Sequence, residues 1–237
     1  YQGMGSSHVS ATKVSNAFDA MAEYTDSVLF ARGYNADDDD DVIHQDMIDE
    51  AISLTKQAEV VVLFVGLPDI VESEGFDRPS LQLPKQHLVL LESICQNHSR
   101  VVVVLSNGGT VELPGSFLQA QAILEGYLLG QAGGNAIVHL LFGKASPCGR
   151  LPETMPISVD DIPATSYFPG TRDTVEYREG LDVGYRYFNT VNKRVQFPFG
   201  HGLTYTTFEY HQLQVEVLQD AHDCKRVQVS MRLQNTG

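Results

Sequence analysis

Apolar residues along the chain follow two patterns, which predict two kinds of element. Short runs in which every position is apolar are typical of strands covered on both faces, and they occupy residues 60–65 and 101–105. A shorter apolar segment follows at 120–124. Apolar residues that recur every three or four positions predict helices over 44–57, 84–97 and 135–142. Helices thus alternate with strands, which predicts an α/β fold with a mostly parallel, doubly wound sheet, an α/β sandwich.

The N-terminal part predicts further elements of the same kind. Apolar spacing predicts a helix over 12–24 and a short strand at 27–31. Five consecutive aspartates follow at 37–41. A calcium loop needs other ligands between its carboxylates and a glycine at a set position, and this run has neither. We therefore interpret it as a solvated acidic loop.

The chain changes character after Gly143, where prolines interrupt any helical spacing as far as Tyr205. This segment predicts surface loops with an edge hairpin. Beyond it, residues 213–217 and 227–233 alternate between apolar and polar, which predicts two antiparallel strands joined by a charged turn. Two strands do not make a stable domain, so we expect them to begin a β-sandwich whose remainder is absent.

The two ends of the sequence suggest a piece of a longer protein. The glycine-rich start, residues 3–7, predicts a loop that follows a missing strand, and the end comes directly after a predicted strand. We expect one α/β domain over 1–205, without its first strand, and the start of a truncated second domain over 206–237.

The charge balance excludes some classes of partner. The net charge is −14, from 16 basic and 30 acidic residues. Nucleic-acid affinity rests on basic side chains that neutralise phosphates, so no nucleic acid is expected. The apolar runs are far shorter than the roughly 20 residues that span a bilayer, so no membrane partner is expected. Three scattered cysteines form no disulfide framework and favour the cytoplasm slightly over secretion.

Candidate chemistry lies where the first predicted strand ends. Ligands of open parallel sheets bind beyond the carboxyl ends of the strands. The segment that leaves the strand at 60–65 carries four ionisable side chains within seven positions: Glu72, Glu74, Asp77 and Arg78. Gly75 permits a tight turn close to a ligand, and Arg78 could pair with Asp77 or with the loop body. An active-site loop and an acidic surface loop both remain open on this pattern.

Other cofactor and nucleophile motifs are missing from the sequence. Gly3-Met4-Gly5 lacks the third glycine of a dinucleotide-binding fingerprint, where His8 stands. No Gly-x-Ser-x-Gly elbow supports a serine nucleophile, and the eight histidines show no metal-ligand spacing. We therefore expect neither a metal nor another cofactor.

Several motifs, in order along the chain, resemble those of glycoside hydrolase family 3 β-glucosidases. Glu72-Ser73-Glu74-Gly75-Phe76-Asp77-Arg78 resembles the acid/base loop of that family. Further resemblances lie at 130–136, 141–152, 179–188 and 198–205, and together they cover nearly the whole chain. The resemblance implies a six-stranded α/β sandwich, preceded by a (β/α)8 barrel that supplies an aspartate nucleophile and followed by a fibronectin-III-like domain.

The resemblance also implies roles for single residues. Glu74 matches the catalytic acid/base, with Glu72 as its competitor. Asp77 and Arg78 look like supports of the loop next to Gly75. Ser6 and Ser7 lie in a stretch similar to a loop that approaches the sugar.

The activity that the resemblance implies is retaining, exo-acting hydrolysis of a β-linked glucoside or oligosaccharide. In such a reaction one carboxylate attacks the sugar while the other protonates the leaving oxygen. The acid must hold its proton near neutrality, so we expect burial against substrate and a second carboxylate to raise the pKa of Glu74. The isolated chain lacks the nucleophile and is expected to be inactive.

Alternatives remain open at this stage. Within the family, β-xylosidase or α-arabinofuranosidase activity is an alternative, since the barrel sets much of the sugar preference. A non-catalytic carbohydrate-binding domain could use the same fold. A flavodoxin-like nucleotide binder is disfavoured because no phosphate loop is present. Assembly into a homo-oligomer is compatible with the sequence.

Overall fold

The central sheet of the computed structural model is parallel, as predicted. The structure describes residues 1–38, 42–219 and 225–237. Within them, the sheet has three strands in the order β1-β2-β3: β1 Val61–Gly66, β2 Val101–Ser106 and β3 Ala122–Glu125. The predicted α/β class with a parallel sheet is confirmed. The described residues contain fewer strands than the six that the family resemblance implied.

The strands β1 and β2 are neighbours in the sheet and pair along their whole length. The two strands pair in register from Val61 with Val101 to Gly66 with Ser106. At the end of this ladder a Cβ atom on Gly66 would lie 1.9 Å from the Ser106 carbonyl oxygen. Only glycine fits at this position, which is the last residue of β1 before the chain enters a loop.

The described residues contain five α-helices: α1 Ala17–Met21, α2 Gln45–Thr55, α3 Lys85–Asn97, α4 Gly133–Leu141 and α5 Tyr185–Thr190. The helices predicted at 44–57, 84–97 and 135–142 are confirmed. Single turns of 3₁₀ helix occur at Gly115–Gln119, Gly130–Ala132, Val159–Asp161 and Pro163–Ser166.

The main core lies on one face of the sheet. Ile48 of α2 and Leu91 of α3 are buried in one cluster with Val103 of β2. Val104 is also buried, but alternate residues of a strand point to opposite faces, so it lies beneath the other face. Gly134 of α4 lets this helix pack closely on α1, because a Cβ atom there would lie 2.5 Å from the backbone of Asn16.

Two predictions for the N-terminal part are wrong in detail. The predicted helix over 12–24 is only the five residues of α1, because Asn16 caps its start by accepting a hydrogen bond from the Asp19 amide. The predicted strand at 27–31 is not formed. This segment contacts α1 through side chains instead, with the rings of Phe18 and Phe30 5.4 Å apart.

The C-terminal segment forms the predicted antiparallel pair, β4 Phe208–Gln219 and β5 Lys225–Asn235. Its register shifts between His211 and Gln214. Apolar side chains of both strands, such as Val215 and Val229, remain exposed, as expected of strands without a packed core of their own. Residues 220–224, where the charged turn was predicted, and residues 39–41 of the predicted acidic loop lie outside the described residues.

The described helices include none with the length and apolar character of a membrane span.

Candidate active site

Three loops meet at the carboxyl edge of the sheet. The β1 loop (residues 67–80) follows β1, the β2 loop (residues 107–110) follows β2, and the N-terminal loop (residues 3–7) lies beside them. The Glu74 amide donates to the Met4 carbonyl across 3.4 Å, and Glu72 accepts hydrogen bonds from Gly108. An open cavity of about 240 Å³ lies between the loops and is lined by residues of all three, among them Met4, Glu72, Glu74 and Gly108. The sequence-predicted location of the site at the strand ends therefore holds a cavity.

Glu74 is bound to the N-terminal loop through Ser6. Its Oε2 accepts the Ser6 amide at 2.5 Å and also the Ser6 hydroxyl. Gly5 makes this approach feasible: its φ is +96°, and a Cβ atom there would lie 2.4 Å from the Glu74 Cβ. A larger residue at position 5 would push the carboxyl away. The loop is therefore built around the Glu74 side chain.

The protonation of Glu74 differs from the expectation in this structure. The Ser6 hydroxyl, followed by the Ser6 amide, lowers the pKa of Glu74 below its ordinary value, because hydrogen bonds donated to a carboxylate favour its charged form. The raised pKa that we expected depends on burial, and the Glu74 side chain is exposed here. Among the described residues, both hydrogen bonds from Ser6 go to the same oxygen of Glu74, Oε2.

Glu72 points in a different direction and holds the β2 loop. Its Oε2 accepts the Gly108 amide at 2.5 Å and its Oε1 accepts the Gly109 amide at 3.0 Å. Arg78 lies on the same carboxyl, with Nη1 3.8 Å from Oε1, and its Nη2 donates to the Thr110 carbonyl at 2.8 Å. Of the two partners considered for Arg78 from the sequence, Asp77 and the loop body, the structure places Glu72 of the loop body beside it, together with the Thr110 carbonyl.

The other predicted site residues are brought near Glu74 without a polar bond to it among the described residues. Gly75 has a φ of +98°, and a Cβ atom placed on it would meet no other atom within 4 Å, so it supplies the turn after Glu74 without packing against anything. Ser7 and Asp77 are exposed and are not among the residues that line the cavity.

A group of polar residues that sequence reasoning missed lies beside the β2 loop. Glu125 ends β3 and accepts the Tyr127 amide at 2.9 Å. Glu153 accepts the Tyr127 hydroxyl at a long 3.5 Å. Asn107 is fully buried and closes the β2 loop by donating to the Gly109 carbonyl at 2.9 Å. Glu125 could have been found, because it stands at the carboxyl end of a predicted strand.

Burial shapes the protonation of this second group. Desolvation raises the pKa of Glu125 to about 6, and the charge of Glu153 adds to the rise, while hydrogen bonds from Tyr127 and Asn107 oppose it. Desolvation also raises the pKa of Glu153, whereas the nearby Arg78 charge lowers it. The pKa of the Tyr127 hydroxyl is raised, first by burial and then by the two carboxylates.

The site offers chemistry through one exposed carboxyl group, that of Glu74, which lies at an open cavity. No group of three potential metal-ligating side chains occurs among the described residues. A second, larger cavity of about 360 Å³ lies between α1 and residues 25–28. Its lining includes two carboxylates, Asp19 and Asp26, and Asp19 accepts a hydrogen bond from the Asn16 side chain.

Comparisons with known proteins agree with the motifs. The family model described as "Glycosyl hydrolase family 3 C-terminal domain" matches residues 1–205. The chain is 40% identical to thermostable beta-glucosidase B of Acetivibrio thermocellus over the whole chain and 31% of that protein. It is 43% identical to an exo-alpha-(1->6)-L-arabinopyranosidase of Bifidobacterium longum, over 88% of this chain and 27% of that protein.

A solved structure is also similar over nearly the full chain. The crystal structure of the GH3 beta-glucosidase of Bifidobacterium adolescentis superposes with a TM-score of 0.90 at 39% identity, covering 99% of this chain and 34% of that one. The chain thus spans about a third of the length of the relatives it matches.

Proposed function

Because the chain belongs to glycosyl hydrolase family 3, in the part described as the C-terminal domain, we propose that it supplies the general acid/base, Glu74, of a retaining, exo-acting β-glucosidase. The observation that carries the proposal is the presentation of Glu74. One of its oxygens is held by Ser6, and Glu74 is among the residues that line a cavity at the carboxyl edge of the sheet. Glu72, its competitor, has both oxygens engaged by the β2 loop.

The proposed reaction uses a second carboxylate from outside this chain. In retaining hydrolysis the nucleophile and the acid/base stand roughly 5–5.5 Å apart. We assign the nucleophile to a (β/α)8 barrel elsewhere in the longer protein, and residues 206–237 to the start of a fibronectin-III-like domain. Glu74 first protonates the leaving oxygen and then, as a carboxylate, takes a proton from the attacking water.

The hydrogen bonds from Ser6 suit the second of these steps. They favour the carboxylate, which is the form that activates water. For the first step Glu74 needs its proton, and a substrate and a second carboxylate next to it would raise its pKa. Release of the Ser6 hydroxyl as the substrate binds would act in the same direction.

The test is the substitution Glu74→Gln in the full-length protein that carries this chain, assayed on two β-glucosides. Turnover of an alkyl glucoside, whose leaving group needs a proton, should fall by about 10²–10⁴-fold. The first chemical step with a dinitrophenyl glucoside, whose leaving group does not, should change little. The control Glu50→Gln alters an exposed carboxyl on α2 and should leave both rates unchanged. Equal rates on the alkyl glucoside for Glu74→Gln and the control would contradict the proposal.

A second candidate function concerns the sugar. The Bifidobacterium longum relative is named as an exo-alpha-(1->6)-L-arabinopyranosidase. A panel of nitrophenyl glucosides, xylosides and arabinosides would decide between these substrates. A carbohydrate-binding protein without catalysis would bind sugars in this panel and turn over none. The isolated 237-residue chain should show no turnover in either case.

A further inference from the structure

Glu72 connects two loops that are far apart in sequence. Its carboxylate accepts the amides of Gly108 and Gly109 at 2.5 and 3.0 Å, and these residues follow β2 rather than β1. Backbone donors aimed at a carboxylate form charge-assisted hydrogen bonds, which are roughly twice as strong as neutral ones. The β2 loop has a fixed shape of its own, because the buried Asn107 closes it by donating to the Gly109 carbonyl. Glu72 is therefore attached to a rigid support.

Arg78 fastens the other end of the same stretch. Its Nη2 donates to the Thr110 carbonyl at 2.8 Å, and its Nη1 lies 3.8 Å from Glu72. The Arg78 side chain is only 15% exposed. Residues 72 and 78 are thus both tied to residues 108–110, and Glu74 lies on the short span between them. An anchored short span has far fewer conformations than a free loop.

The residues between the two anchors have little support of their own. Glu74 and Gly75 are exposed, and nothing lies within 4 Å of the position where a Gly75 side chain would be. Ser6 holds the Glu74 carboxyl directly, while the position of the Glu74 backbone depends on its contact with Met4 and on where residues 72 and 78 are held.

We propose that Glu72 is a positioning residue for the acid/base step, acting by clamping the β1 loop to the β2 loop. This inference rests on the proposed function of Glu74. It assigns Glu72 no proton transfer. Loss of the clamp leaves the Glu74 side chain itself unchanged but allows its carboxyl to move away from the leaving oxygen. A misplacement of about 1 Å can lower the rate on the order of 10²-fold.

The direct test is Glu72→Gln in the full-length protein. The amide keeps the size of the side chain but offers one acceptor where two amides need one each. Turnover of the alkyl glucoside should fall on the order of 10²-fold, while the first step with the dinitrophenyl glucoside should hold. A uniform loss on both substrates, or no loss, would overturn the inference, because a purely structural role affects all substrates alike.

A pair of glycine substitutions tests the clamp without replacing a carboxylate. In Gly108→Ala the new Cβ lies 2.9 Å from the Glu72 Oε2, so the carboxyl must move. In Gly109→Ala the nearest Glu72 atom is 3.6 Å away, which is ordinary contact. Gly108→Ala should reproduce the selective loss on the alkyl glucoside, and Gly109→Ala should not. Equal behaviour of the two variants would argue against the clamp.

Combining substitutions separates this inference from the proposed function. If Glu72 acts through Glu74, then adding Glu72→Gln to Glu74→Gln should cost no further activity on the alkyl glucoside, since coupled residues are not additive. A further full loss would show that Glu72 acts independently and would overturn the inference alone. Selective loss in Glu72→Gln with none in Glu74→Gln would overturn both assignments and make Glu72 the acid.

Discussion

The substitution Glu125→Gln removes a buried ionisable group next to the β2 loop while preserving its size. The Tyr127 amide donates to the Glu125 Oε1 at 2.9 Å, and a glutamine oxygen can accept the same bond. The difference is that glutamine cannot bind or release a proton, whereas Glu125 can. Burial raises the pKa of Glu125 to about 6, with the Glu153 charge as a smaller cause in the same direction.

The substitution changes how the free energy of unfolding depends on pH, because proton binding by Glu125 is coupled to folding. An acid whose pKa is higher in the folded state binds its proton more tightly there, so its contribution to stability is complete below pH 4.5 and is lost as the pH rises through about 6. Because each pH unit in this interval is worth about 1.4 kcal/mol, the loss amounts to about 2 kcal/mol. The glutamine side chain does not titrate, so the variant is spared this loss.

The assay is urea unfolding of the chain and of Glu125→Gln between about pH 4.5 and about pH 7.5. Subtracting the two free energies of unfolding cancels the groups that titrate alike in both proteins. The difference should shift by about 2 kcal/mol in favour of Glu125→Gln across this range. Glu153→Gln is a matched comparison, because burial raises the pKa of Glu153 as well, and its difference should shift in the same direction.

A difference that stays flat across this pH range would refute this reasoning. It would mean that Glu125 titrates alike in the folded and unfolded chain, and that the cluster of Glu125, Tyr127 and Glu153 is open to water. A shift in the opposite direction would mean that hydrogen bonds to the charged form of Glu125 outweigh its burial.

Two further predictions concern the loops. Ser6→Ala removes the hydroxyl that contributes most to the lowered pKa of Glu74, so the pKa of Glu74 should rise. In the full-length protein, the alkaline limb of the pH profile of kcat/KM should therefore move to higher pH. Ser53→Ala is the control and should leave this limb in place. An unchanged limb would show that Ser6 does not govern this titration. Gly66→Ala places a Cβ 1.9 Å from the Ser106 carbonyl and should destabilise the chain by about 1–3 kcal/mol or more. Gly115→Ala, with nothing within 4 Å, should change the urea midpoint little, and equal midpoints for the two variants would contradict the packing at Gly66.

The sequence predicts the sheet well because its signal is local. The runs that became β1 and β2 are apolar at every position, and this composition requires burial on both faces. The same reliance on local composition led to the wrong prediction of a strand at 27–31. Its apolar residues satisfy the pattern, but Phe30 finds its contact in Phe18 of α1 rather than in a sheet.

The site was predictable only in part because its contacts are not local. The motif around Glu74 marks the loop, and the strand-end rule marks its edge of the sheet. The partners of Glu72, at 108 and 109, lie 36 and 37 residues away, and no spacing in the sequence connects them. The sequence left open whether Arg78 pairs with Asp77 or with the body of its own loop. In the fold Arg78 lies beside Glu72 of that loop and donates to the Thr110 carbonyl of the β2 loop.

Trapping with azide tests the proposed role of Glu74 as the acid/base carboxyl. In Glu74→Gln the carboxylate that activates water is gone, so azide should attack the glycosyl-enzyme intermediate in place of water. With a dinitrophenyl β-glucoside as substrate, the full-length variant should release a β-glucosyl azide, identified by the coupling of its anomeric proton in NMR. Release of glucose alone from Glu74→Gln, together with the azide product from Glu72→Gln, would contradict the assignment of Glu74 as the acid/base.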